Sequence, residues 1–403
     1  MYVGIVAAFA FSTACLLVSA TPHRRDASTT ISGGKNNEGE DHDELKVPKG
    51  ARIKSIPVGN DGDEVAVYWN DPVTDQSKDA HSAYIMIHGK LRNGNDYWDI
   101  LNDALQSAIK DEYPGVDEKA FVVAPQFFST KYNKGQYDKN HLAFEDVNGW
   151  QAGDPATHPE GTTMTSIDAL DSIVSTFANK DDYPNLRNIT IVGHGGGGQL
   201  ITRYAAVGSL PEGVYVRFIV GDASTHAYFT KDRPVTKEVD GKGCKYWNTW
   251  RYGFDNFTGT AAGLKRPFEY FAEYVNRDVV ILVAKNDTKA SGDQYCPALL
   301  QGGEARRDRN FAWWTYINVL ARTPEPVQLF DVANFKHLPD WSMAVGFSGK
   351  IGPRLVVIED AEHDAKEVFG SKEGRAALFS SGDIPVGWRP KGYEDEESDC
   401  SYC

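Results

Sequence analysis

The run Ile189-Thr-Ile-Val192 passes directly into Gly193-His194-Gly195-Gly196-Gly197-Gly198 and then into the helical pattern Gln199–Ala205. An apolar run, a glycine turn and a helix without a polar spacer form a strand–turn–helix unit, the building block of parallel sheets. Further strand-like runs lie at Glu64–Trp69, Ala83–Ile87, Ala120–Ala124, Val216–Val220, Val279–Val283 and Leu355–Ile358. Several are continuous Val/Ile/Leu without polar alternation, as expected of strands buried on both faces. Helical patterns separate them. In Thr165–Asn179, the residues Ile167, Leu170, Ile173, Val174 and Phe177 follow helical spacing, and Thr165-Ser-Ile-Asp168 is a capping-box-like start. The expected fold class is α/β, a mostly parallel, doubly wound sheet.

Such sheets bind ligands beyond the carboxyl ends of their strands. The residues that follow the strands here are His88-Gly89-Lys90, Pro125-Gln126-Phe127, the glycine run, Ala284-Lys-Asn-Asp287 and Glu359-Asp-Ala-Glu-His363-Asp364. Their order resembles the α/β-hydrolase superfamily, and more narrowly its secreted esterase- and lipase-like members with HG-x-x-RN, APQF, GHSxGGQ and GHD segments. The matching segments are HGKLRNG (88–94), APQFF (124–128), GHGGGGQL (193–200) and EHD (362–364), within residues 64–380. The resemblance implies an α/β-hydrolase fold with Asp287 as acid and His363 as base. Backbone N–H groups of Gly196 and of Gly89 or Lys90 become oxyanion donors. Asp293 is an alternative acid; read without the family, Asp287 is a turn aspartate and His363 a loop histidine. His88 is expected to structure its loop by hydrogen bonding. No metal and no cofactor are expected.

The family's nucleophile falls on Gly195. Glycine takes the strained turn of the elbow without a Cβ penalty. It also deletes the hydroxyl that acyl-enzyme chemistry needs. Gly346-Phe-Ser348-Gly349-Lys350 is a near miss that lacks the last glycine and precedes the final strand. The main expectation is a secreted hydrolase-like protein without covalent serine catalysis, binding a small apolar or ester-like ligand. Three alternatives stand beside it. A water in the space left at Gly195, activated by His363, would give direct hydrolysis or lyase-type proton transfer. An ordinary serine esterase with an altered nucleophile is the next. Gly193, Gly195 and Gly198 also satisfy the dinucleotide fingerprint, with Asp222 24 residues past Gly198 as a ribose-binding acid. That fingerprint usually opens its domain, whereas several strands precede it here.

Cys244 to Tyr274 holds ten aromatics in 31 residues, where the chain's 12% average gives about four. This marks a cap at about 223–277, with Trp247, Trp250 and Tyr252 as substrate-binding residues or as the cap's own core. Trp313 and Trp314 fall on a later amphipathic helix and read as core. Met1–Ala20 is apolar and ends Val18-Ser19-Ala20, which reads as a signal peptide or, alternatively, an anchor. A polar linker over 21–47, a domain over 48–390 and an acidic tail over 391–403 follow. Beyond the leader, Cys244, Cys296, Cys400 and Cys403 are an even number, which suits two disulfides in a secreted chain. Their connectivity is open, although Cys400 and Cys403 are local neighbours; a zinc site lacks its paired motif. Of the sequons at Asn188, Asn256 and Asn286, Asn188 opens an expected strand, which leaves Asn256 and Asn286 as glycosylation sites. Lys+Arg number 42 against 56 Asp+Glu, a net charge of −14, which argues against nucleic-acid binding. No second apolar run is long enough for stable membrane insertion.

Overall fold

The structure is a computed structural model that describes residues 45–379 apart from 71–75, 235–242, 324–329, 332–333 and 336. The expected leader, residues 21–44 of the linker, the tail with Cys400 and Cys403, and the side chain of Ser348 lie outside the described residues.

Eight strands build one sheet: β1 Ala51–Val58, β2 Asp63–Asn70, β3 Ser82–Ile87, β4 Phe121–Gln126, β5 Asn188–His194, β6 Tyr215–Gly221, β7 Asp278–Ala284 and β8 Arg354–Ile358. Their order is β1-β2-β4-β3-β5-β6-β7-β8, and β2 alone runs against the others. The expected runs coincide with β2 to β8. The sequence reading missed β1, an edge strand that carries Arg52 and Lys54 outward. Edge strands use such charges against unwanted pairing, which breaks up the apolar run. The Lys54 ammonium sits 3.8 Å above the Trp69 ring on β2.

Among the described residues, seven helices of six or more residues flank the sheet: α1 Gly94–Lys110, α2 Ser166–Ala178, α3 Gly196–Val207, α4 Pro267–Asn276, α5 Arg306–Ala321, α6 Ala365–Gly370 and α7 Lys372–Phe379. Ile85 and Ile87 of β3 pack with residues of α2 to α5. Tyr84 and Met86, one residue out of phase, pack with α1, α6 and α7. This two-residue alternation in a wholly apolar strand is what a doubly wound sheet requires. The expected cap on α2 is present: Thr165 Oγ1 accepts from the Asp168 N–H (3.1 Å), and the Asp168 carboxylate accepts from the Thr165 N–H (2.8 Å). The expectation for α5 is corrected in one respect. Trp313 and Trp314 are core, but the helix is buried nearly all round, with Asn310, Thr315 and Asn318 inside as well. It is not amphipathic, because protein covers it on nearly every side.

The rings of Trp250, Phe254, Phe257 and Tyr270 stack into a core within the segment between β6 and β7. Arg251 ties this segment to the loop before α2 through Asp146 (2.9 Å) and Asp154 (2.7 Å). A disulfide joins Cys244 to Cys296 beyond β7, across 52 residues. Closing a loop of that length restricts the unfolded chain, so Cys244→Ser/Cys296→Ser is expected to lower unfolding free energy by about 2–4 kcal/mol. Urea denaturation checks this; an unchanged midpoint would show that the cross-link contributes no stability. No helix among the described residues is long and apolar enough to cross a membrane.

Candidate active site

Between β5 and α3 the chain turns at Gly195, with φ +56° and ψ −109°. A residue with a Cβ is strained there, while glycine is not. Gly197 answers to packing instead. A Cβ on it would stand 2.5 Å from the Ile87 carbonyl oxygen, so glycine lets α3 rest on β3. Asp222, after β6, is fully buried; its Oδ2 lies 3.2 Å from His194 Nε2, and its Oδ1 accepts from the Ala284 N–H (2.9 Å). A ribose cannot reach it, and this counts against the dinucleotide alternative.

His363 lies in the loop between β8 and α6. Its Nε2 is 3.1 Å from the point where a Cβ on residue 195 would sit. Its Nδ1 is 3.1 Å from Asp287 Oδ2, although the N–H is not aligned for a good hydrogen bond. The buried Asp287 carboxylate is instead gripped in bidentate fashion by Arg306 of α5, Nε to Oδ2 (2.8 Å) and Nη2 to Oδ1 (2.7 Å). Asp293 is directed elsewhere, accepting from the Tyr252 hydroxyl (2.7 Å) and the Tyr295 N–H (2.9 Å). Asp287 is thus the acid that faces His363. On the other side the His194 ring stacks on His363, centroids 4.3 Å apart.

Burial pushes the Asp287 carboxyl up, but hydrogen bonds and charge from His363 and Arg306 outweigh it and hold the group down at about 2. His363 is pushed below its ordinary value, first by burial and then by His194 and Arg306, against the raising influence of Asp287. A depressed carboxylate contributes stability that is present above its unfolded value near 4 and lost as pH falls through the folded one. That contribution amounts to about 2 kcal/mol between pH 4 and 2. The depressed imidazole adds a loss that begins below about pH 6.5. Urea midpoints measured from pH 7 to 2 are therefore expected to fall in two stages, with the lower stage flattened in Asp287→Asn. An identical acid limb in that variant would refute the assignment.

The HG and APQF segments form one unit. His88 Nε2 accepts from the Phe127 N–H (3.0 Å), its Nδ1 faces the Gly89 carbonyl (2.9 Å), and Gln126 Oε1 accepts from the Gly94 N–H (2.9 Å). The Lys90 N–H is thereby set 3.3 Å from the point where a Cβ on Gly196 would sit. Gly89 abuts the Tyr97 hydroxyl, 2.6 Å from its Cβ point. Gln151 Nε2 also lies 3.3 Å from the Gly196 point. Sequence reading missed Gln151 and Arg306. Neither follows a strand, and Arg306 is one of three arginines in Arg306-Arg-Asp-Arg309.

A cavity of about 590 Å³ opens over these glycines, and its lining includes Lys90, Asn148, Gln151, Gln199, Ser224 and Arg306. Leu91, Tyr97, Ile100 and Ala365 add apolar surface to the lining. Trp247, Trp250 and Tyr252 do not line it, which corrects their expected role. Trp250 is buried with its N–H on the Ala152 carbonyl (2.7 Å), Tyr252 is buried on Asp293, and Trp247 stacks against the Arg233 guanidinium (5.1 Å). The aromatic excess is the cap's own core. Among the described residues, His194, Asp222 and His363 bring ligand-type atoms within 4.8 Å of one another. Asn256 and Asn286 are exposed, and Asn188 begins β5 half-buried.

A central parallel sheet, a glycine elbow after β5, an acid after β7 and a histidine after β8 make this the α/β-hydrolase fold. No family model and no curated protein matches the chain. Its structure is similar to poly(aspartic acid) hydrolase-1 from Sphingomonas sp. KT-1, with TM-score 0.52 and 16% identity over 82% of this chain and 99% of that one. LpqC, a poly(3-hydroxybutyrate) depolymerase from Bordetella parapertussis, gives TM-score 0.48 and 16% identity over 79% of this chain and 86% of that one. The first likeness speaks for the fold, and at such identity neither speaks for a substrate.

Proposed function

We propose that the chain is an extracellular, esterase-type hydrolase scaffold in which glycine at the nucleophile position has ended covalent catalysis. Its role on this reading is to bind a small apolar or ester-like ligand in the cavity over Gly195. One observation carries it: a base and its acid remain assembled, with His363 Nε2 3.1 Å from the place of a missing Cβ. The Cys244–Cys296 disulfide supports an oxidising compartment. A cleaved leader and glycans on Asn256 and Asn286 belong to the same reading. Ester turnover by wild type, His363→Ala, Gly195→Ser and Gly195→Ser/His363→Ala tests it. Activity is expected in Gly195→Ser alone; wild-type turnover abolished by His363→Ala would overturn it.

That overturning result would favour a second reading, in which a water at the vacated position is activated by neutral His363 as general base. The cavity that Gly195 and His363 both line is the observation in its favour. Wild-type turnover without fluorophosphonate labelling is its signature.

A further inference from the structure

The cavity holds a second group of donors away from the glycine elbow. Arg306 opens α5, and its Nε and Nη2 are both engaged by Asp287, which fixes the plane of the guanidinium. Its Nη1 has no hydrogen-bond partner among the described residues. The hydroxyl of Ser224, two residues past Asp222, has none either. Both side chains are 4% exposed, both line the cavity, and neither atom is sealed from it. Donors this deeply buried are costly unless water or a ligand satisfies them.

The two groups are held as a pair. Gly292, in the loop after β7, has φ +76°, and a Cβ on it would stand 2.5 Å from Ser224 Oγ and 2.7 Å from Arg306 Nη1. The two atoms are therefore no more than about 5 Å apart, and glycine at 292 leaves both uncovered. Arg309 Nη1 donates to the carbonyls of Ser224 (3.0 Å) and Asp293 (2.7 Å), and Asn310 Nδ2 donates to that of Ala223 (2.9 Å). These bonds from α5 set the backbone at Ser224 and beside Gly292 before any ligand arrives.

An acceptor oxygen suits this pair, since Nη1 carries N–H groups and the hydroxyl an O–H. The surrounding charge decides which acceptor. The cavity wall carries Asp96, Asp99, Asp293 and Asp364 against Lys90 and Lys366, and the charge of Arg306 is already matched by Asp287. A ligand carboxylate would meet net repulsion there, whereas a neutral carbonyl takes the hydrogen bonds without it. We propose that Arg306 Nη1 and Ser224 Oγ form a second subsite that binds a neutral carbonyl oxygen. The cavity then selects ligands with two acyl groups, one over Gly195 and the other at this pair. The proposal rests on the disarmed-hydrolase reading for the ester-like class of the ligand. Binding makes and breaks no covalent bond.

The test is calorimetric titration of the wild-type chain with dimethyl malonate, dimethyl succinate and dimethyl glutarate, a series that varies the spacing of two carbonyls. Methyl pentanoate supplies one carbonyl, and monomethyl succinate supplies one carbonyl and one carboxylate. A diester of the series is expected to bind at least about tenfold more tightly than either. Ser224→Ala removes the hydroxyl. Arg306→Lys keeps a cation beside Asp287 and removes Nη1. Each should bring the diester to within about twofold of methyl pentanoate. Melting temperature reports whether each variant folds, and Ser224→Ala carries the comparison if Arg306→Lys does not. Absence of a diester preference, tighter binding of the half-ester, or a preference that survives in folded Ser224→Ala would each overturn the proposal. If wild type hydrolyses the diesters through His363, the disarmed-hydrolase reading fails, and the same tenfold preference and its loss in Ser224→Ala are then read from kcat/KM. If Gly195→Ser hydrolyses esters while wild type shows no diester preference, the subsite fails and the disarmed-hydrolase reading stands.

Discussion

Gly195→Ser is expected to convert the protein into an ester hydrolase, with turnover at least about 10³-fold above wild type. The elbow already has the φ and ψ that a nucleophile must adopt, so the serine enters a turn that exists without it. The new Cβ would lie 3.1 Å from His363 Nε2, and the imidazole must yield by a few tenths of an ångström. On the proposed reading the backbone N–H groups of Gly196 and Lys90 serve as oxyanion donors without rebuilding. Loss of such a nucleophile removes about 10⁶ in turnover in a well-studied protease, while about 10³–10⁴ over water remains from the rest of the site. The full factor is not expected to return, because Arg306 engages the Asp287 carboxylate on which His363 depends. The measurement is p-nitrophenyl ester turnover with fluorophosphonate labelling mapped to residue 195, repeated with His363→Ala added. A folded Gly195→Ser chain that is neither labelled nor active would sink the idea that the frame is intact. Strain at φ +56° should also lower its stability by about 1–2 kcal/mol.

Arg306→Met is expected to destabilise the fold by about 3–5 kcal/mol, because it strands a buried carboxylate. Arg306 and Asp287 are both nearly inaccessible and joined by two short hydrogen bonds. Adding Asp287→Asn to Arg306→Met should recover a large part of the loss, since the stranded charge goes with it. Urea unfolding of the four chains gives the coupling. A loss below about 1 kcal/mol in Arg306→Met would place the pair among weak surface-like bridges.

Seven of the eight strands were legible because buried parallel strands are continuous apolar runs and need no context to be seen. The edge strand β1 was not, since Arg52, Lys54 and Pro57 carry the signature of an edge rather than of a core. His363 and Asp287 were legible because the topology places chemistry at strand ends, and both follow strands directly. Gln151 and Arg306 enter the site from a one-turn helix, Gly149–Ala152, and from the first residue of α5. Their positions follow from tertiary packing, and local spacing carries no trace of it. The cap's aromatics stayed open between two readings for a related reason. An excess of aromatics reports burial, and sequence alone does not say whether ligand or protein does the burying.

The fastening of the cap also bears on how a ligand comes and goes. The described part of the cap is anchored by Arg251 on two carboxylates and by the Cys244–Cys296 cross-link, and of its residues Ser224 alone lines the cavity, so ligand exchange does not wait on the cap. Leu91 and Lys366 are the exposed side chains of its lining on the HG loop and on α6. A mouth that stays open imposes no slow gating step. Mixing experiments should accordingly show one exponential whose rate climbs linearly with ligand concentration, and residence time should reflect the strength of the contacts alone.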